Sequence, residues 1–146
     1  MKSVTKITRV QLKVEQEEEL ILLGLVSSEP DYKLSLILNK RLGISLKNAS
    51  PVKIISDTGS EVVFSRFSDS NGSPEVIYNL FSNRSGKHFL LKKLKNVDYI
   101  LQVSDSENNN TVESVTIILR EIESVNAVFN IDLTTFKDKN LHYLNQ

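Results

Sequence analysis

The stretch 20-LILLGLVSSEPDYKLSLILNKRLG-43 changes period part-way along. Leu20 to Val26 is apolar without alternation, the pattern of a central strand covered on both faces. Beyond the paired serines the period becomes helical. At 100° per residue Leu34, Ile37, Leu38 and Leu42 form one stripe, which must face a sheet. Ser28 is placed to cap this helix, with Asp31 three residues later and Pro30 in the first turn, where a missing N–H costs nothing. A helix over 29–42 then stops at Gly43, which tolerates the left-handed cap.

Upstream, residues 7–14 alternate, with Val10, Leu12 and Val14 on one side and Arg9, Gln11 and Lys13 on the other, as in a half-buried strand. The acidic run 15-EQEEE-19 is its solvated turn. Downstream, 51–56 and 61–68 flank 57-DTG-59, while 75–82 and 87–91 flank 83-NRSG-86. Each pair reads as strand, turn, strand. A further strand covers 97–103, and 104-SDSENNN-110 is a loop.

In 111–123, Val112, Val115, Ile118, Leu119 and Ile122 share one helical face. The β-branched residues argue for a strand, but the period and a cap by Asn110 and Glu113 favour a helix. A last strand runs over 125–131, and residues 132–146 are a partly ordered C-terminal tail. The order is β-β-α-β-β-β-β-β-α-β. Strands bunched between two helices predict one α+β domain over residues 1–146. Its sheet is mainly antiparallel, of about six to eight strands, with both helices on one face.

A chain of 146 residues is long enough to bury roughly two thirds of its unfolded surface. Eighteen basic and eighteen acidic residues cancel, so overall charge gives no reason to expect nucleic acid or an anionic membrane as the main partner. The absence of cysteine excludes disulfides and thiolate chemistry, and two histidines leave little for a metal site. No cofactor is expected. The apolar run 20–26 is too short to span a bilayer, and Glu17, Glu18 and Glu19 stand where a signal peptide needs positive charge. The expectation is a cytoplasmic protein with no membrane partner.

Two stretches resemble a known family. The helix 31-DYKLSLILNKRLG-43 after Ser27 and Ser28, and the strand opening 97-VDY-99, are similar to the bacterial IPExxxVDY family. The segment 125-VNAVFNIDL-133 resembles that family's last strand, and the likeness runs from about Leu20 to Leu141. Where the family's Ile-Pro-Glu falls, this chain has Leu91, Lys92 and Lys93. The resemblance implies the fold and a bacterial cytosol. It implies no activity.

Three constellations compete for function. In a strand, neighbours point to opposite faces, so Val97, Tyr99, Leu101 and Val103 share one side, and Asp98, Ile100 and Gln102 the other. Tyr99 is then a core aromatic. A dipeptide on opposite faces does not supply both acid and base to one cavity, so an enzyme built on Asp98 and His88 ranks third. The stretch 84–95 carries Arg84, Lys87, Lys92, Lys93 and Lys95 with no acid, and Phe81 and Phe89 lie close. Basic residues with aromatics are what single-stranded RNA binding uses, which makes an RNA-associated protein the runner-up. Lysines also protect strand edges.

The leading expectation rests on the first helix, where Tyr32 and Leu36 lie opposite the core stripe with Asn39 beside them. The tail is unusually apolar for a terminus, with Leu133, Phe136, Leu141, Tyr143 and Leu144. Either the tail folds over that patch or one of the two is a contact surface. The surface expected to carry function is Tyr32, Leu36 and Asn39 with Phe136, Tyr143 and Leu144. It would serve a non-catalytic adaptor that binds another protein or a second copy of itself.

Overall fold

A computed structural model describes residues 19–69, 76–105 and 111–145. The strand expected over 7–14 lies outside the described residues. The apolar run forms β1 (Glu19–Val26) and the helical stretch α1 (Asp31–Leu42). Next come β2 (Lys47–Ile55), β3 (Glu61–Asp69) and β4 (Val76–Ser82). A two-stranded ribbon follows, β5 (Arg84–Ser85) with β6 (His88–Phe89). Then come β7 (Tyr99–Asp105), α2 (Thr111–Arg120), β8 (Ala127–Ile131) and a 3-10 turn over Leu141–Asn145. Six strands make one sheet in the order β8-β1-β7-β4-β3-β2, antiparallel throughout. The α+β architecture with a mainly antiparallel sheet is therefore present, and the β-branched stretch after residue 110 is a helix.

β1 sits between β8 and β7 and is buried on both faces, which is why its sequence lacks alternation. Ile21, Leu23 and Leu25 join a core beneath α1 and α2 with Leu34, Leu38, Val115 and Leu119. Leu22 turns the other way, into a second core with Phe64, Phe81, Ile100, Ile131 and Leu144. Both helices belong to the first core. The second core is covered by two irregular segments, the 83–98 connection and the tail.

Three expectations need correcting. Ser28 does not cap α1, because Pro30 holds the extended conformation (φ −66°, ψ 159°) and the helix begins only at Asp31. The stop is as expected, with Gly43 at φ 69° and its N–H bonded to the carbonyl of Asn39. The hairpin expected between 75–82 and 87–91 does not form. β4 pairs with β7 instead, and only Ser85 and Arg84 pair with His88 and Phe89. Val97 falls in the second core, opposite to Tyr99, Leu101 and Val103, because the strand proper starts at Tyr99. Asp69 is the buried end of β3, and its carboxylate accepts the N–H of Ser45 at 3.0 Å.

Candidate functional site

Asp98 and Tyr99 fasten the start of β7 to the β1–α1 connection. Tyr99 is buried in the first core, and its hydroxyl donates to the carbonyl of Glu29, just ahead of α1. Burial pushes its pKa up to about 12, and the nearby carboxylates of Asp31, Asp98 and Glu29 add to the shift. Asp98 uses both carboxylate oxygens. One pairs with Arg84 Nε at 2.7 Å and the other accepts the N–H of Ser27 at 2.9 Å. His88 lines a separate cavity of about 220 Å³ with Ile54, Val62, Phe64 and Phe89, and Asp98 is not among its walls. Asp98 and His88 therefore do not line a common cavity among the described residues. Among the described residues no group of three or more metal-ligating side chains converges.

Asn83, read in sequence as a turn residue, is fully buried and organises the segment that follows. Its side-chain amide donates to the carbonyls of Leu94 and Val97 at 2.8 and 2.9 Å and accepts the N–H of Leu91 at 2.8 Å. Its backbone N–H donates to Asp98 and its carbonyl accepts the N–H of Leu90. Nothing in residue type or spacing separates it from an ordinary turn asparagine. Only the partners, spread over residues 90–98, reveal its role.

The tail begins with a turn in which Asp132 accepts the N–H and hydroxyl of Thr134, which lowers its carboxyl pKa. It then crosses the second core. A file of amides holds it there: Arg66 Nε donates to Asn79 Oδ1, Asn79 Nδ2 to Gln102 Oε1, and Gln102 Nε2 to the carbonyl of Leu144 at 2.9 Å. Asn140 Nδ2 donates to the carbonyl of Leu90 at 2.7 Å, and Asp138 accepts the N–H of Lys93 at 3.2 Å. The two irregular segments are thus joined to each other as well as to the sheet.

The expected composite surface does not form. Phe136, Tyr143 and Leu144 lie on the second core, while Tyr32, Leu36 and Asn39 sit on α1 beyond the first, across the sheet. Sequence shows that an apolar tail needs cover but not which face supplies it. Asn39 is occupied in closing the α1–β2 turn, accepting the N–H of Leu46 at 2.7 Å and donating to its carbonyl at 3.2 Å. Tyr32 and Leu36 remain on the outside of α1, 62% and 63% exposed.

The basic run 84–95 is also divided. Arg84 is committed to Asp98 and lies over the ring of Phe89 at 5.2 Å. Lys87 is exposed in the ribbon turn, and the carbonyl of Lys95 accepts a bond from Arg84 at 3.4 Å. Lys92 and Lys93 instead meet Lys137 and Lys139 of the tail around a groove of about 670 Å³. Leu133, Phe136 and Leu141 form its apolar floor. The one acid in the lining, Asp138, accepts the N–H groups of Lys93 and Asn140. None of the four lysines forms an ion pair among the described residues. This groove joins Phe136 from one expected site with Lys92 and Lys93 from another. Lys137 and Lys139 escaped notice because they lie far away in sequence, alternating with Asp138.

No protein-family model matches the chain, and no curated protein matches it in sequence. No helix among the described residues is long and apolar enough to cross a membrane. Chemically, the groove offers apolar burial beneath four ammonium groups facing one carboxylate, so it suits a ligand with apolar anchors and negative charge. Phe136 is the one ring in the groove lining, and three other rings of the second face have close partners. Phe89 lies under Arg84, Phe81 under Arg66 at 5.8 Å, and Tyr143 against His142 with centroids 4.1 Å apart.

Proposed function

We propose that this chain is a non-catalytic module that binds another protein, taking an acidic segment with apolar anchors along the groove between Lys92–Lys93 and the tail. The observation that carries the reading is the groove itself, an apolar floor rimmed by four lysines without ion-pair partners among the described residues. Charge depletion at the centre and complementary charge at the rim are the ordinary anatomy of a specific protein interface. RNA is the weaker reading, because stacking of successive bases needs several free aromatic faces and Phe136 is the single ring in the groove lining. A cytoplasmic setting and kinship with the IPExxxVDY family belong to the same proposal. In support, Asp98 and Tyr99 of the resembling stretch join β7 to the β1–α1 connection. Where the chain departs from the motif, two lysines replace Pro-Glu at the groove rim, which favours an acidic partner here.

The test compares capture of host proteins by the tagged wild type and by a Lys92→Glu/Lys93→Glu variant, with nuclease in a parallel arm. A partner bound through the groove should be lost in the variant, its affinity falling by about tenfold to a hundredfold. A Lys87→Glu control on the ribbon turn should retain it. Capture indifferent to the double reversal defeats the reading, and capture abolished by nuclease transfers it to RNA.

A further inference from the structure

The two outer strands of the sheet, among the described residues, are built differently. β2 carries three of the devices that discourage pairing with another chain. Pro51 lies within it, Lys47 and Lys53 are exposed along it, and its register with β3 breaks between Ala49 and Val52. β8 has none of them. Its sequence Ala-Val-Phe-Asn-Ile contains no charge and no proline, and it pairs with β1 in unbroken register from Ala127 to Ile131. Apolar side chains flank this edge. Phe129 is 42% exposed, and Ile117 of α2, at 60%, lines a shallow depression with Asn130.

We infer that β8 is a pairing edge for a second copy of this chain, joining two sheets antiparallel about a two-fold axis at Phe129. Such an interface is isologous, so the strand must be complementary to itself. In the register centred on Phe129, Ala127 faces Ile131, Val128 faces Asn130, and the two Phe129 rings face each other. No charge opposes a like charge, and the aromatic pair contributes directly to cross-strand stability. The zero formal charge of the chain raises no long-range barrier to self-association. This edge is distinct from the lysine groove, and the inference does not depend on it.

The test is sedimentation equilibrium of the full chain up to about 100 μM, where a micromolar interface is filled. The wild type is expected at twice its 16.5 kDa mass. Phe129→Lys places two ammonium groups across the axis and should raise the dimer dissociation constant by at least about tenfold. Ile117→Lys, on a different element, should weaken it in the same direction if the strand variant proves poorly folded. Ile55→Lys on the opposite edge should leave the dimer intact. A wild type monomeric throughout overturns the inference, including the case in which residues 7–14 of the same chain occupy the edge. So does a dimer indifferent to both the Phe129 and the Ile117 variants.

Discussion

Replacing Asn83 with alanine isolates the contribution of one buried amide to the segment that rims the groove. The substitution removes three side-chain hydrogen bonds of 2.8, 2.9 and 2.8 Å. The orphaned partners are not equivalent. The carbonyl of Leu94 still accepts the N–H of Val97, whereas the N–H of Leu91 and the carbonyl of Val97 lose the partner they had. Leu91 and Val97 are themselves buried. An unsatisfied buried polar group costs about 1–3 kcal/mol, so two of them predict a loss of about 2–6 kcal/mol. For a chain of this length that lowers the melting temperature by about 10 °C. Urea unfolding measures it as a drop in midpoint at constant slope. Ser82→Ala next door removes only an exposed bond to the carbonyl of Arg84 and should cost under about 0.5 kcal/mol. If Asn83→Ala costs no more than Ser82→Ala, the amide is not what holds residues 90–98, and the account of the groove's near wall fails with it.

Two further outcomes follow from the packing and the electrostatics. A Cβ on Gly24 would meet the two methyl groups of Val97 at 3.1 and 3.2 Å, and Val97 is itself enclosed; Gly24→Ala should therefore destabilise by about 1–3 kcal/mol in thermal unfolding. Tyr99 has a folded pKa of about 12 against 10.0 for the free group. Its contribution is fully present below pH 10 and lost as pH rises towards 12. Tyr99→Phe should flatten the decline of wild-type stability across that window, and an equally steep decline would refute the assignment. Tyr78, also raised by burial and then by Asp105 and Asp69, leaves a residual slope in the variant.

The period of the chain was sufficient for its elements and not for its partners. Unalternating β1, the Leu34–Leu38 stripe, Gly43 and the Val112, Val115 and Leu119 face of α2 each follow from one local rule and stand where the pattern puts them, although α2 ends at Arg120 and leaves Ile122 beyond it in the same core. Alternation tells which side chains share a face, but it is silent on which strand lies alongside. Hence β4 could be read as half of a hairpin with 87–91, although its real partner is β7, some twenty residues on. The groove was illegible for the same reason. Lys92 and Lys93 were visible as a charge run, Phe136 and Leu141 as surplus apolar residues. Their meeting depends on Asn140 reaching Leu90 and Asp138 reaching Lys93, contacts with no periodic signature.

The division between the two faces suggests why the site lies where it does. The face under α1 and α2 is closed by regular elements whose backbone bonds are internal, and among the described residues its outer surface keeps Tyr32, Leu36 and Ile117 as large exposed apolar side chains. The other face is roofed by segments whose own regular structure is limited to the short β5–β6 ribbon and a 3-10 turn, fastened by the side chains of Asn83, Gln102 and Asn140. Fastenings of this kind contribute about 1 kcal/mol each and act locally. One of them can open while the sheet stays intact, which is the low-stability end of a structure from which binding surfaces are drawn. The groove lies along the seam where the two segments meet, joined by Asn140 to Leu90 and by Asp138 to Lys93. Parting these two bonds would widen it between the lysine rims without disturbing a strand. On the proposed binding role, a rigid sheet beneath an adjustable seam would let the groove accept segments of differing bulk, with the lysines carrying the constant part of recognition.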